Sequence, residues 1–129
     1  MSEKYTVKQL AQAAGVSVRT LHYYDAINLL KPASRSRAGY RYYGQQQLLK
    51  LQQILFYKQL GFSLQEIRDV FNVPDFDILK ALKSHRNELV NRSSELKQLL
   101  KTVDSTIDAL KKNRQMSLEQ IYKGFSEKG

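Results

Sequence analysis

Residues 15–30 read GVSVRTLHYYDAINLL, and this stretch is the strongest indication of how the first half of the chain folds. Gly15 is suited to end one helix and Ser17 to cap the next, which we expect to run to about Ile27 or Asn28. The helix that ends at Gly15 is indicated by a Thr6 cap and by apolar residues at helical spacing, namely Val7, Leu10, Ala11 and Ala14. Two short helices joined by about three residues around a glycine form the helix-turn-helix pattern.

The second helix carries more polar and aromatic side chains than a core helix needs. Its spacing predicts an inward face of Val18, Leu21 and either Tyr24 or Asp25, and an outward face of Arg19, Thr20, His22 and Tyr23. A helix of this kind fits the major groove of B-DNA, where its side chains reach the base edges. Arg19 can donate two hydrogen bonds to a guanine or bind a phosphate, and the residues leave both alternatives open.

Other residues of this helix are candidate DNA contacts of a less specific kind. Ser17 and Thr20 lie at its N-terminal end, where the helix dipole favours an anion. The hydroxyls of Tyr23 and Tyr24 can bind phosphates, although either ring can instead pack in the core.

The stretch LLKPASRSRAGYRYYG, residues 29–44, is expected to contain a basic wing. Pro32 stops the preceding helix, and YRYY at residues 40–43 is β-prone and can form one arm of a hairpin. The tip is rich in arginine, and Arg37 and Arg41 could hold the DNA backbone. A flexible basic loop is the alternative, but the adjacent aromatic residues favour a hairpin. Lys58, from the following helix, is a weaker candidate.

The remainder of the first half predicts two more helices. Residues 45–60 place Leu48, Leu51, Ile54 and Leu55 on a helical stripe that Gly61 ends. Ser63 and Glu66 form a capping box before a helix over about 64–72. Pro74 ends this unit, so we predict a winged helix-turn-helix domain over residues 1–74.

Residues 76–112 contain neither proline nor glycine and predict one long helix of about 55 Å. Ten positions at alternating steps of three and four form a seam, and Arg86 and Ser93 are its only polar members. The eight apolar seam residues are Leu79, Leu82, Leu89, Leu96, Leu100, Val103, Ile107 and Leu110. A second copy is the simplest partner, and packing on its own front domain is the alternative.

The polar seam positions bear on the direction of pairing. A parallel pair would set Arg86 against Arg86, so the seam favours an antiparallel pair. We therefore predict a mostly α fold: the winged domain, a coiled-coil dimerisation helix over 75–112, and a tail or junction over 113–129.

Net charge is +9, and its distribution favours nucleic acid as the partner. Residues 1–62 hold nine Lys or Arg against two Asp or Glu, a net of +7, whereas residues 63–129 hold twelve against ten, a net of +2. A basic half suggests nucleic acid or an acidic membrane surface, and charge for solubility alone is the third alternative.

The composition also argues against several other classes. No run of residues is long and apolar enough for a membrane span, and the first residues lack an apolar signal core, so we expect a cytoplasmic protein. The chain has no cysteine, and two isolated histidines make no metal site. No phosphate-binding glycine loop, zinc-protease motif or nucleophile elbow is present. We predict no enzyme, no cofactor and no metal.

Three segments together resemble the MerR family of bacterial transcription regulators. They are TVKQLAQAAGVSVRTLHYYDAINLLKP, RAGYRYY and LQQILFYKQLGFSLQEI, which together with the intervening residues cover about 5–74. The long helix to about 112 matches by architecture. VRTLHYYD together with LQQILFYKQLGF resembles the drug- and thiopeptide-responsive branch typified by the TipA and Mta regulators.

The resemblance implies a function and a mechanism. Members are homodimers joined by an antiparallel coiled coil, and each dimer binds a pseudo-palindromic promoter with an overlong spacer. The dimer bends and untwists the spacer so that RNA polymerase engages both promoter elements. The positions that match DNA contacts are Arg19, Tyr23 and Tyr24 in the recognition helix and Tyr40, Arg41 and Tyr43 in the wing, with Lys58 matching less closely.

The chain departs from the family in two respects. Metal-sensing members use cysteines near the end of the dimerisation helix, so the resemblance does not extend here to metal or thiol-redox sensing. Drug-sensing members carry a further C-terminal domain, whereas here 17 residues follow the long helix, and their IYKGF resembles the junction to such a domain. We expect a small-molecule effector only if a further C-terminal domain exists.

Two other functions compete with a MerR-type activator. An architectural, excisionase-like protein would bend DNA with the same wing and helix but would not activate transcription. The long helix argues against a monomeric excisionase. A structural coiled-coil adaptor would leave the net +7 of residues 1–62 unexplained.

Overall fold

The computed structural model describes residues 3–127, and the chain is divided between Leu82 and Lys83 into two compact units. The fold is mostly helical with one small antiparallel sheet, as the sequence predicted. The elements in chain order are β1 (Tyr5–Thr6), α1 (Val7–Ala14), α2 (Val18–Ala26), β2 (Ser34–Arg35), β3 (Arg41–Tyr43), α3 (Gln45–Gln59), α4 (Leu64–Phe71), α5 (Ile78–Lys111) and α6 (Leu118–Ile121). The domain boundaries at 74 and 112 stay predictions; the first lies four residues before the start of α5 and the second one residue after its end.

Local capping explains where the helices of the first unit begin. Thr6 accepts a hydrogen bond from the Gln9 N–H at 3.2 Å, while the Gln9 side chain accepts one from the Thr6 N–H at 2.9 Å. Ser63 and Glu66 form the same reciprocal pair before α4, as predicted. The hydrogen bond from the Ser63 N–H is the main cause that lowers the pKa of Glu66.

The wing is a three-stranded sheet in the order β1-β3-β2. The predicted hairpin of β2 and β3 is present, with Ser34 opposite Tyr42 and Arg35 opposite Arg41. The third strand, β1, was not predicted from the sequence. It pairs antiparallel with β3 through Tyr5 and Tyr43, and thereby ties the wing to the start of α1.

The core of the first unit lies where α1 to α4 meet β3. Its buried members are Leu10, Ala11, Leu21, Tyr24, Leu29, Leu30, Tyr43, Leu51, Ile54, Tyr57 and Ile67. Aromatic rings extend it: Tyr57 lies 5.0 Å from Phe62 and 6.2 Å from Phe71 between ring centroids. This core fixes the angle between α2 and the wing, which together form the candidate interface.

In the second unit the tail folds back onto α5. The Thr102 hydroxyl is buried and donates a hydrogen bond to the Lys123 carbonyl at 2.6 Å. The chain reverses after α5 through Asn113, which has a φ of 50°, and the Arg114 N–H bonds to the Ala109 carbonyl. No helix within residues 3–127 combines the length and the apolar character that a membrane span needs.

Candidate nucleic-acid interface and helix seam

The turn between α1 and α2 has the backbone that the helix-turn-helix pattern requires. Gly15 adopts a φ of 72°, a left-handed conformation that glycine reaches without strain. Ser17 then caps α2, and its Oγ accepts a hydrogen bond from the Thr20 N–H at 2.9 Å. The two hydroxyls also lie 2.9 Å apart, so both are ordered at the N-terminal end of α2.

The two faces of α2 are those that the sequence predicted. Leu21, Tyr24 and Asp25 point into the core, whereas Arg19 and His22 are exposed. Tyr23 is 53% exposed and lies on the same outward face as Arg19. Arg19 has no ion-pair or hydrogen-bond partner within residues 3–127, so its guanidinium is available to a ligand.

The tip of the wing presents a second set of exposed groups. Its turn is closed by hydrogen bonds from the Ser36 N–H to the Tyr40 carbonyl and from the Tyr40 N–H to the Ser36 hydroxyl. Gly39 takes a φ of 87° in this turn. Arg37 and Tyr40 project from it, and Tyr40 is 69% exposed.

A buried carboxylate joins α2 to the wing. Asp25 is only 2% exposed and accepts a hydrogen bond from Arg41 Nε at 2.8 Å. Arg35 binds the same oxygen, Oδ2, and Lys31 Nζ lies 2.9 Å from Oδ1 outside hydrogen-bond geometry. We call Asp25 with Lys31, Arg35 and Arg41 the Asp25 ion cluster.

The Asp25 ion cluster keeps its carboxylate charged. Burial by itself raises the pKa of Asp25, but the hydrogen bond from Arg41 and the positive charges of Lys31 and Arg35 outweigh it. The net effect lowers the pKa of Asp25 below its ordinary value. The cluster therefore remains intact at neutral pH and orients the wing against α2.

Sequence analysis missed the role of Asp25, although one signal was available. It is the only acidic residue between residues 4 and 65, and its spacing placed it on the inward face of α2. An isolated acid on a buried face beside a basic hairpin indicates an ion pair. The residues that it would bind lie six to sixteen positions away and could not be chosen by spacing.

The four tyrosines predicted to contact DNA differ in burial: Tyr23 and Tyr40 are exposed, whereas Tyr24 and Tyr43 are buried. Tyr24 and Tyr43 are 1% and 0% exposed, so both rings pack in the core, which is the alternative that the sequence left open for Tyr24. Both side chains belong to the hydrophobic core, because each fills space between the helices and the sheet. The Tyr24 hydroxyl does lie 3.4 Å from Lys58 Nζ, and Lys58 is itself exposed.

The structure thus brings together most of the predicted contact set. Ser17, Arg19, Thr20 and Tyr23 lie on α2, and Arg37, Tyr40 and Arg41 lie on the wing that the ion cluster holds against α2. Arg41 also binds Asp25 through its Nε. Within residues 3–127 no group of three or more His, Asp or Glu side chains is placed to hold a metal ion.

The predicted seam of α5 is exposed along almost its whole length. Seven of its eight apolar members are exposed large hydrophobics: Leu79, Leu89, Leu96, Leu100, Val103, Ile107 and Leu110. Leu82 is half-buried. In water a stripe of this kind is stabilised by a partner that covers it.

The apolar residues of the tail also stay exposed. Leu118, Tyr122 and Phe125 keep well over half of their surface, and Ile121 keeps 41%. The fold-back through Thr102 therefore orders the tail without burying its apolar side chains.

Two family models match this chain. One is described as "MerR HTH family regulatory protein" and matches residues 5–73, which contain α1, α2, the wing, α3 and α4. The other is described as "MerR, DNA binding" and matches residues 48–106, which reach far along α5.

Two curated relatives are similar along nearly the whole chain. HTH-type transcriptional activator Mta of Bacillus subtilis is 41% identical over 125 residues, covering 97% of this chain and 49% of its own length. HTH-type transcriptional activator TipA of Streptomyces coelicolor is 38% identical over 123 residues, covering 95% and 49%. The chain thus spans about half the length of the curated relatives it matches.

Two solved structures show the same fold. The structure of HTH-type transcriptional regulator SkgA from Caulobacter crescentus has a TM-score of 0.90 and 42% identity, over 98% of this chain and 91% of that one. HiNmlR, a MerR family regulator that lacks the sensor domain and was solved bound to promoter DNA, has a TM-score of 0.64 and 25% identity, over 85% and 92%.

Proposed function

The chain belongs to the MerR family of helix-turn-helix regulatory proteins, and from this premise we propose that it binds promoter DNA as a homodimer and activates transcription there. The observation that carries the proposal is the outward face of α2. It presents Arg19 and Tyr23 to solvent beside a wing whose tip exposes Arg37 and Tyr40.

The exposed residues take different roles in the proposed complex. With α2 in the major groove, Arg19 reaches base edges and Tyr23 reaches phosphates on the flank of the groove. Arg37, Tyr40 and Lys58 contact the backbone outside the groove, since they lie on the wing tip and on α3. Tyr24 and Tyr43 support this surface from inside and are left out of the contact set.

The proposed dimer is an antiparallel pair of α5 helices. The ten seam positions are symmetric about the point between Ser94 and Glu95, so an antiparallel copy aligns every seam residue with another seam residue. The facing pairs are Leu79 with Leu110, Leu82 with Ile107, Arg86 with Val103, Leu89 with Leu100, and Ser93 with Leu96. No like charges face each other in this register, which supports it over the parallel alternative.

Cysteine cross-linking tests this register cleanly, because the natural chain has no cysteine. In the antiparallel pair Leu89 faces Leu100 of the partner, whereas two copies of Leu89 lie about 16 Å apart along the axis. Leu89→Cys and Leu100→Cys alone should give no cross-linked dimer under oxidation, and the double variant should give one. Cross-linking by either single variant would contradict the antiparallel pair.

The proposed mode of regulation is activation by distortion of the promoter. The dimer binds a pseudo-palindromic site, bends and untwists an overlong spacer, and so lets RNA polymerase engage both promoter elements. What supports activation is that Mta and TipA are both described as transcriptional activators. A DNA-bending protein of the architectural kind is the alternative.

DNA binding is tested with three variants of this chain. Arg19→Ala should weaken binding to the cognate site by about 10- to 100-fold and relax the sequence preference. Arg37→Ala should weaken binding to all sequences alike and reduce the salt slope by about 1. Lys101→Ala removes a positive charge from an exposed position of α5 and serves as the control. Equal effects of all three variants would contradict a specific α2 surface.

Transcription in vitro distinguishes an activator from an architectural DNA-bending protein. The template is the protein's own promoter, located by footprinting. Activation without any added small molecule would show that this chain is a sufficient activator. Tight binding to the footprinted site without activation would favour the architectural alternative, or a requirement for residues outside this chain. Small-molecule control by a further C-terminal domain stays a prediction.

A further inference from the structure

The Asp25 ion cluster carries more positive charge than its carboxylate neutralises. Three cations converge on one carboxylate, so the cluster has a net charge of +2. Arg35 and Arg41 lie directly opposite each other across β2 and β3, a placement in which like charges repel. The buried Asp25 offsets this repulsion from the inner side of the cluster, so the outer side is suited to a second anion.

The cations of the cluster keep hydrogen-bond donors that Asp25 does not use. Arg41 binds the carboxylate through Nε at 2.8 Å, and its two terminal nitrogens have no partner within residues 3–127. Arg35 binds through Nη2, which leaves its Nε and Nη1 available in the same part of the chain. A guanidinium holds its N–H donors in a rigid fork, so an anchor on one edge fixes the direction of the others.

The cluster lies between the two surfaces proposed to contact DNA. Asp25 belongs to the last turn of α2, two residues after the exposed Tyr23, and the two arginines lie on the strands that lead to and from the wing tip. The side chains of Lys31 and Arg35 are about half exposed, and that of Arg41 is partly exposed. A ligand outside the cluster can therefore reach the cations but not the carboxylate.

We propose that the Asp25 ion cluster binds a phosphate group of the DNA backbone and that Asp25 is its positioning residue. The exposed N–H donors of the three cations bind the phosphate oxygens, while Asp25 holds both guanidinium groups from behind. The phosphate offsets the positive charge that the carboxylate leaves unpaired. This inference rests on the proposed DNA binding, and it adds Lys31 and Arg35 to the residues that contact the backbone.

The proposal reverses the effect that net charge alone would have. Asp25→Asn removes one negative charge and takes the net charge from +9 to +10, which by itself would tighten DNA binding and steepen its salt dependence. Without the carboxylate, however, the two guanidinium groups repel each other and lose their common orientation. We therefore expect Asp25→Asn to bind the cognate site about tenfold more weakly and with a salt slope reduced by about 1.

DNA with single neutral phosphates tests the contact directly. The protein's own site is located by footprinting, and each of its phosphates is replaced in turn by an uncharged methylphosphonate. We expect one position in each half-site at which the natural chain loses affinity by about tenfold or more. At that position Asp25→Asn should lose about threefold or less, because the cluster no longer grips the phosphate.

A second variant leaves the anchor in place. Lys31→Met removes an exposed cation but keeps Asp25 and both arginines, so the first unit stays folded. It should bind the natural site about three- to tenfold more weakly and should be less sensitive to the same methylphosphonate than the natural chain. Lys101→Met makes the same change at an exposed position of α5 and should alter neither quantity.

The phosphate bound by Arg37 separates positioning from a general structural role. The pairing of β1 with β3 and the buried Tyr43 still hold the wing in Asp25→Asn, so this variant should keep its sensitivity at the phosphate whose contact Arg37→Ala abolishes. Loss of sensitivity at both phosphates would mean that Asp25 only supports the fold of the wing, and would overturn the proposal.

The remaining outcomes distinguish this inference from the proposed function. A natural chain that binds no DNA site would refute both. A natural chain that binds its site, together with an Asp25→Asn variant that binds as tightly or more tightly, would refute the phosphate site alone. Unchanged sensitivity of Lys31→Met at every phosphate would also refute it.

Discussion

Replacing Asp25 by asparagine removes the negative charge on which the Asp25 ion cluster depends. The substitution keeps the shape of the side chain and one acceptor oxygen, so it changes the electrostatics with little change in packing. Three cations then lie around a neutral group: Arg41 with a side chain 23% exposed, and Lys31 and Arg35 that are about half exposed.

The expected loss lies between two reference cases. Breaking a fully buried ion pair costs about 3–5 kcal/mol, whereas exposed pairs contribute about 0–1 kcal/mol. Here the carboxylate is buried, but Lys31 and Arg35 can turn towards water, and only Arg41 is left largely covered without its partner. We therefore expect Asp25→Asn to lower the free energy of unfolding by about 2–3 kcal/mol.

Urea denaturation at fixed protein concentration measures this loss. With a slope of about 1–3 kcal/mol per molar, the midpoint should fall by about 1 M or more. Asp108→Asn is the matched control, because Asp108 also binds two cations, Lys112 at 3.1 Å and Arg114, but is half-exposed. Its loss should stay below about 1 kcal/mol.

The pH dependence provides a second criterion. Asp25 has a lowered pKa in the folded chain, so its contribution is fully present above the ordinary value of about 3.9. That contribution is lost as the pH falls from there through the folded pKa. The gap in stability between the natural chain and Asp25→Asn should be constant from pH 7 to about 5 and should narrow below about 4.

Equal losses of stability in Asp25→Asn and Asp108→Asn would show that burial of Asp25 contributes nothing. A gap that stays constant into strong acid would refute the electrostatic cause, since only the ionised carboxylate binds the three cations.

Four further substitutions test separate parts of the structure. Tyr43→Phe should leave the urea midpoint unchanged or raise stability by up to about 1 kcal/mol, because the buried hydroxyl has no partner within residues 3–127; a clear loss would reveal one. Gly15→Ala should cost about 1–2 kcal/mol by the same assay, since alanine is strained at a φ of 72° even though its Cβ would meet no atom within 4 Å. Leu100→Ala should weaken dimerisation by about tenfold or more in sedimentation experiments, and an unaffected dimer would remove the seam from the interface. Thr102→Val removes the hydroxyl that binds the Lys123 carbonyl and should speed amide exchange in residues 117–125, whereas unchanged exchange would mean that other contacts hold the tail.

The ends of helices were predicted well where interactions between residues close in the sequence set them. The Thr6 and Ser63 capping boxes each join residues three positions apart, so the start of α1 and α4 could be read directly. The predicted long helix over 76–112 became α5 over 78–111, because no residue within it interrupts the backbone hydrogen bonds. Asp77 accepts a hydrogen bond from the Leu79 N–H, which sets the observed start.

The structure places most of the predicted contact residues on exposed surface of α2 and the wing, and their contacts with DNA stay a prediction. Arg19 and Tyr23 lie on the exposed face of α2, whereas Leu21 and Tyr24 lie on its buried face. The helical repeat of 3.6 residues predicts this division. Tyr43 was named as a DNA contact through the family resemblance of the wing, yet the pairing of β1 with β3 places it in the core. The burial of Gln53 was not predicted, because a polar residue gives no sequence signal that it will be buried.

The residues alone predict the helix-turn-helix, the wing hairpin, the long helix with its apolar seam and the basic front half. Each of these depends on spacing, capping or composition, which act over a few residues. Three features depend on how distant segments pack: β1 completes the wing sheet, Asp25 binds Lys31, Arg35 and Arg41, and Gln53 is buried. These features join elements far apart in the chain, and their geometry follows from how the helices pack around Tyr24, Tyr43 and Ile54.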